Sequence, residues 1–229
     1  MVKSYSKTAN HNMRRPVVKE GILRYMRTRQ KQNDGFLAEL EAFAHQENIP
    51  IIQHEVVAYF RFLMQTMQPK NILEIGTAIG FSALLMSEYA PEGCKITTIE
   101  NYEPRIPIAK ANFEKCNKSD VITLLEGDAF EILPTLNDEF DFIFMDAAKG
   151  QYINFLPQIM RLLKSGGVLV SDNVLQDGDI IESKYAITRR NRTIHTRMRD
   201  YLYELKHNDM LTTAILPVGD GITISYKKV

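Results

Sequence analysis

From Asn71 to the C-terminus the chain alternates short apolar runs with amphipathic stretches long enough to be helices, and the alternation stops at one place. Strands are expected at 71–75, 95–100, 121–125, 140–145, 166–171, 212–217 and 222–227, and helices at 80–89, 103–115, 128–136, 151–163 and 188–207. Strands separated by helices of this length are joined by right-handed crossovers and lie parallel, with helices on both faces of the sheet. The last two strands are different. Only Gly219-Asp220-Gly221 joins them, too short for a crossover helix, so they must pair antiparallel. The fold class is therefore α/β: a doubly wound, mostly parallel seven-stranded sheet with an antiparallel last strand. N-terminal helices are added at about 17–30, 35–47 and 53–67, the second opened by Asn33-Asp34-Gly35 and the third ended by Gln68-Pro69-Lys70. The chain divides into a basic tail over 1–15, expected to be disordered, helices packed on the core over 16–70, and the doubly wound domain over 71–229.

Composition narrows the class further. With 229 residues, 45% of them hydrophobic and 24% charged, the chain can bury a sizeable single core. No apolar run approaches the roughly 20 residues of a membrane span, and the N-terminus lacks a signal-peptide pattern. Cys94 and Cys116 show no metal-ligand spacing, so two structural thiols in a reduced, cytoplasmic setting are expected. The net charge of zero conceals a partition: residues 1–31 hold nine basic residues against one acid, Glu20, so that the remaining 198 sum to −8. A second basic cluster comprises Lys184, Arg189, Arg190, Arg192, Arg197 and Arg199, with no acid among them. Most charge runs are solvated faces, but two such clusters on a neutral chain also suit a polyanionic substrate.

Two strand ends carry the chemistry. Phe142-Ile-Phe-Met-Asp146-Ala-Ala-Lys149 and Val168-Leu-Val-Ser-Asp172-Asn173 are apolar runs that each end in a carboxylate, the second followed by an amide. Ligands of open α/β sheets bind just beyond the carboxyl ends of the strands. Oxygen donors there suit a hard cation, Mg²⁺ or Ca²⁺, rather than zinc. Upstream, Ile72-Leu-Glu74-Ile-Gly76-Thr-Ala-Ile-Gly80-Phe-Ser82 is a strand, a glycine turn and a helix start. Its Gly-x-x-x-Gly spacing departs from the G-x-G-x-x-G of NAD(P) sites and is equally compatible with a structural turn. The strand at 95–100 ends in Glu100, placed to accept hydrogen bonds from ribose hydroxyls, and Gly127-Asp128-Ala129 follows the third strand, where an adenine edge could be met. Asp128 also fits a helix N-cap.

These residues together resemble the class I S-adenosylmethionine-dependent O-methyltransferases, a Rossmann-like group, and within them the metal-dependent catechol and caffeoyl-CoA type. The resemblance spans about residues 17–229. Within the group, Asp146-Ala-Ala-Lys-Gly-Gln-Tyr152, Arg189-Arg190-Asn-Arg192 and Leu216-Pro-Val-Gly-Asp-Gly221 most resemble bacterial tRNA 5-hydroxyuridine O-methyltransferases. The resemblance implies that Glu74, Gly76, Ser82, Glu100, Asp128, Ala129 and Asp146 serve S-adenosylmethionine, and that Asp146, Asp172 and Asn173 hold Mg²⁺. Ile52 stands at a cofactor-contacting position often filled by Met, with helix core as its alternative. Lys149 takes the place of a base or electrostatic helper beside Asp146, a lysine that could equally sit at a solvated helix start. Phe81, Tyr102 and Tyr152 could stack on a base or simply pack. A homodimer is expected.

Three functions are compatible with these residues. The first is methylation of 5-hydroxyuridine in the tRNA anticodon to 5-methoxyuridine, its vicinal oxygens chelating the metal as a catechol would. The second is the same chemistry on a small catechol-like phenol. The third is a nucleotide-binding module without catalysis, against which the complete set Asp146, Lys149, Asp172 and Asn173 argues.

Overall fold

The computed structural model describes residues 18–229. The tail expected to be disordered over 1–15 lies outside the described residues. Three helices come first: α1 Glu20–Arg29, α2 Gly35–Gln46 and α3 His54–Met67. The sheet and its crossovers follow as β1 Asn71–Ile75, α4 Phe81–Tyr89, β2 Lys95–Glu100, α5 Ile106–Lys115, β3 Ile122–Glu126, α6 Ala129–Ile132, β4 Phe140–Met145, α7 Tyr152–Leu162, β5 Leu163–Ser171, α8 Arg192–His207, β6 Leu211–Leu216 and β7 Ile222–Lys227.

The strands run in the order β3-β2-β1-β4-β5-β7-β6. The first five are parallel neighbours, and β7 is antiparallel to both β5 and β6. The short Gly219–Gly221 connection does form an antiparallel hairpin, and β7 folds back to lie between β5 and the edge strand β6. Strand order reverses between β1 and β4, which opens the crevice where ligands of such sheets bind.

Side chains that alternate along a strand feed two separate cores. Ile72, Phe142, Phe144, Val168 and Val170 face a cluster with α2, α3, α4 and α5. Leu73, Ile75, Ile143, Met145 and Leu169 face a second cluster with α6, α7 and α8. Strands covered on both faces are apolar on both, as β4 is from Phe142 to Met145, and as β1 is apart from Asn71 and the buried Glu74. The N-terminal helices belong to the first core. Phe60 of α3 meets the edges of Phe142 and Phe144 at ring-centroid distances of 5.9 and 4.7 Å.

Three segments differ from the expected pattern. The helix expected over 128–136 is α6 plus a separate 3₁₀ turn, Leu133–Thr135, because Pro134 has no N–H to continue an α-helical ladder. β5 starts three residues early, with a register shift against β4 between Phe140 and Phe142. The helix expected from 188 begins as a 3₁₀ turn, Arg189–Asn191, before α8 proper.

Candidate active site

A cavity of about 680 Å³ opens at the carboxyl ends of the parallel strands, a size typical of small-molecule and cofactor sites. Its walls collect residues far apart in sequence: Gly76, Glu100, Asp128, Ala129, Asp146, Lys149 and Asn173 all line it. The strand ladder explains the convergence. Asp146 N–H donates to Ile75 O at 2.9 Å and Asp172 N–H to Met145 O at 3.0 Å, so both carboxylates follow directly on neighbouring strands. Met145 and Ser171 are register partners, and Asp146 and Asp172 are the next positions along.

The glycine turn is shaped for close approach. Gly76 has φ +103°, and a Cβ there would stand 2.1 Å from the Asp146 carbonyl oxygen. Glu100, nearly buried, accepts from the Ala78 N–H at 2.7 Å on one oxygen and from the Asn101 and Tyr102 N–H groups at 3.1 and 2.8 Å on the other. Those bonds fix the carboxylate at the cavity wall, and a carboxylate has about four lone-pair directions, so one remains for a ligand hydroxyl. Asp128 caps α6, accepting from Phe130 N–H at 2.9 Å through one oxygen. The N-cap role holds, and the residue lines the cavity as well.

Other residues expected at the site lie behind it. Glu74 is fully buried and accepts from Ser82 Oγ at 2.5 Å and from Thr98 Oγ1 at 2.6 Å, tying β1 to the first turn of α4 and to β2. Burial pushes its carboxyl up to about 7 despite those two donors, with the charges of Asp146 and Glu100 adding to the rise. Glu74 and Ser82 are therefore beneath the cavity floor. Ile52 is packed in the core of α2, α3 and α4, while Pro50 two residues earlier reaches the cavity wall. Phe81 and Tyr152 are buried, and the Tyr152 hydroxyl donates to Asp172 O at 3.1 Å. Tyr102 stays half exposed on the cavity rim, with the Arg105 guanidinium 4.9 Å from its ring centroid.

The donor set of Asp146, Asp172 and Asn173 suits a hard divalent cation. Asp172 is almost wholly buried, and its Oδ1 accepts from Asn173 N–H at 2.7 Å; Asn173 itself has a left-handed backbone, φ 56°. Burial pushes the Asp146 carboxyl up to about 6, with Lys149 opposing the shift. Burial also raises Asp172, with the charge of Asp146 next in importance. Two desolvated carboxyls that disfavour each other's charge are short of positive charge, which a divalent cation would supply. Among the described residues, no three His, Cys, Asp or Glu side chains gather as a metal cluster. The candidate set has two carboxylates and an amide.

Asp220 is the site residue that sequence reasoning missed. It accepts from Lys149 Nζ at 3.3 Å and from Asp177 N–H at 2.5 Å, and is itself buried. An Asp between two glycines reads as a turn residue, and nothing local shows that the hairpin tip reaches Lys149, 71 positions away. Cys94 and Cys116 are unpaired thiols. No helix among the described residues is long and apolar enough to cross a membrane.

A doubly wound sheet with a cavity at its switch point, an acid at the end of β2, another just after β3 and carboxylates directly after β4 and β5 defines a class of nucleotide-cofactor enzymes. The comparisons with known proteins name it. A family model described as O-methyltransferase matches residues 27–228. Caffeoyl-CoA O-methyltransferase 1 of Eucalyptus globulus is 32% identical over 193 residues, which cover 79% of this chain and 76% of that one. A catechol O-methyltransferase of Niastella koreensis is 34% identical over 129 residues, 54% of this chain and 58% of its own. The SAH-bound structure of a Podospora anserina methyltransferase superposes with a TM-score of 0.82 at 26% identity, covering 92% of this chain and 95% of that one. The chain belongs to the O-methyltransferase family and is an S-adenosylmethionine-dependent enzyme.

Proposed function

We propose that this enzyme methylates the 5-hydroxyl of 5-hydroxyuridine in the tRNA anticodon, with Mg²⁺ held by Asp146, Asp172 and Asn173. The observation that carries the RNA reading is the seat of the second basic cluster. Arg197 of α8 donates through Nη1 to Gly150 O at 3.1 Å, which brings the cationic segment 184–199 against the loop that carries Lys149. A polyanionic substrate could then be held beside the cavity through its phosphates.

Each residue has a definite task in this reading. Glu100 accepts from a ribose hydroxyl through its remaining lone pair, and Asp128 with Ala129 meets the adenine edge. Gly76 lets the backbone approach the cofactor, while Glu74 and Ser82 hold the turn from below and Ile52 backs the adjoining wall. Bound S-adenosylmethionine supplies an electrophilic methyl carbon, and a divalent cation supplies charge to a developing oxyanion. Lys149 either takes the proton of the attacking hydroxyl as a neutral amine or, as an ammonium, compensates the negative charge of the oxyanion once that proton has gone to solvent. Methyl transfer from the cofactor's sulfonium would form a carbon–oxygen bond as the carbon–sulfur bond breaks, so the chain's own part is mainly to align the reactants.

The names of the relatives favour a second reading. Proteins called catechol and caffeoyl-CoA O-methyltransferase support a small vicinal phenol as acceptor. The non-catalytic alternative falls with membership of an enzyme family. The test is methyl transfer by the purified enzyme to an anticodon stem-loop carrying 5-hydroxyuridine, to catechol and to caffeoyl-CoA. RNA should be the preferred acceptor, chelator should abolish transfer, and Mg²⁺ should restore it. Asp172→Ala should be folded and inactive. Turnover of catechol with no transfer to RNA would replace the RNA reading by the phenol one, and full activity in excess chelator would remove the metal.

A further inference from the structure

Beside the cofactor cavity lies a second depression, of about 490 Å³, bounded by Lys184, Tyr185, Arg192, Thr193, Thr196 and Arg197. Among the described residues no carboxylate is in its wall. Most cationic runs on protein surfaces are interleaved with acids and lie on convex, solvated faces. Here the nearest acids along the chain are Glu182 and Asp200, and among the described residues none of the three cations forms an ion pair.

Neutral groups orient these cations instead. The Arg192 guanidinium donates to the carbonyls of Ile187 at 3.2 Å and Tyr185 at 3.4 Å, and Arg197 donates to that of Gly150. The Tyr185 ring, 75% exposed, has Lys184 Nζ at 5.3 Å and the Arg192 guanidinium carbon at 6.0 Å from its centroid. Carbonyls and a ring face hold a cation in place without neutralising it. Thr193 and Thr196 stand in the first turns of the 16-residue α8, where the positive end of the helix dipole favours an anion.

We propose that this depression is a phosphate subsite, holding a backbone phosphate of the RNA strand whose target nucleotide enters the cofactor cavity. The proposal rests on the RNA reading above. Its placement follows from the Arg197–Gly150 bond, since Gly150 lies between Lys149 and Gln151, both in the cofactor cavity wall. A substrate seated in the cavity would direct its neighbouring phosphate towards the α8 side of the Lys149–Gln151 loop. Phosphate matches the convergence of two guanidinium groups and an ammonium better than a lone carboxylate does, because it offers more acceptor oxygens and charge. Another source of the same chemistry is the phosphate of a coenzyme A thioester.

The test is the double variant Lys184→Gln/Arg192→Gln, assayed on the hydroxyuridine stem-loop, on free 5-hydroxyuridine and on caffeoyl-CoA across a salt series. The KM for the stem-loop should rise roughly ten- to a hundred-fold. The slope of log affinity against log salt should fall by about 0.7, the value of one phosphate of a single strand. Free nucleoside should react as with wild type, and Arg192→Lys alone should keep most of the salt slope. The proposal is overturned if the double variant handles the stem-loop like wild type, or loses stem-loop and nucleoside alike. A loss confined to caffeoyl-CoA overturns RNA as the source. Wild type that ignores RNA altogether overturns the functional reading itself, a result distinct from a variant without effect.

Discussion

Asp220 joins three parts of the chain at a buried point. Its carboxylate receives Lys149 Nζ and the Asp177 N–H, and its own carbonyl accepts from Leu175 N–H at 3.0 Å. Burial raises its carboxyl, and the Lys149 charge opposes that rise most. The carboxylate thus anchors both the ammonium and the loop that follows Asp172 and Asn173. Asp220→Ala should lower kcat roughly ten- to a hundred-fold, the worth of one charged hydrogen bond, while leaving the KM for S-adenosylmethionine within a few-fold. Asp220→Asn, which still accepts from Asp177, should lose less. In a Lys149→Ala background Asp220→Asn should cost no further rate. A full additional loss there would mean that Asp220 acts on the loop alone. A double-mutant cycle in single-turnover kinetics reads this out.

At the scale of elements, the turn from β1 into α4 is the tightest piece of the site. Gly76 N–H donates to Ile99 O at 3.0 Å, and its missing Cβ leaves the space filled by Asp146 O. Gly80, with φ +85°, has the Phe113 ring 2.4 Å from where a Cβ would be. Gly76→Ala has to move β1 away from β4, which separates Glu100 and Asp146. The positive φ alone costs about 1–2 kcal/mol in a residue with a side chain, before any clash. Calorimetry of the variant should show S-adenosylmethionine binding lost or weakened more than ten-fold, and thermal unfolding should show a lowered midpoint. Wild-type binding would mean that the sheet gives way without disturbing the cavity.

The whole molecule has an acid in the middle of its sheet. Glu74 lies between the two cores with its carboxyl raised to about 7 by burial. Unfolded, it returns to about 4.5. Between those values the folded chain holds a proton that the unfolded chain has released, so stability falls as pH rises through this window and levels off above it. For this group alone the difference amounts to about 3 kcal/mol. Glu74→Gln keeps an oxygen for Ser82 or Thr98 and has no proton to lose. Urea unfolding at pH 5 and pH 8 should therefore show a smaller loss of stability for Glu74→Gln than for wild type, a contrast in which raised carboxyls present in both proteins, Asp172 and Asp220 among them, largely cancel. Identical pH dependence in the two proteins would show that Glu74 is ionised across this range in the folded chain, as it is in the unfolded one.

Local chemistry was sufficient for the elements of this chain and for the acids at its strand ends. Hydrophobic period, proline, glycine and a three-residue hairpin connection act within a dozen residues, so the strands at 71–75, 95–100, 140–145 and 222–227 stand where their own sequences put them. Asp146, Asp172 and Glu100 were legible for the same reason: a carboxylate that ends an apolar run must emerge at the sheet's carboxyl edge. The tertiary structure decided what lies behind that edge and what meets across it. Glu74 and Glu100 are both strand acids, yet one is sealed against Ser82 and Thr98 while the other reaches the cavity, because Glu74 precedes the final residue of β1 and Glu100 ends β2. The insertion of β7 between β5 and β6, the approach of Asp220 to Lys149 and the bond from Arg197 to Gly150 each join residues some 40 to 70 positions apart. Such pairings depend on how completed elements pack, and no local property of either partner encodes them.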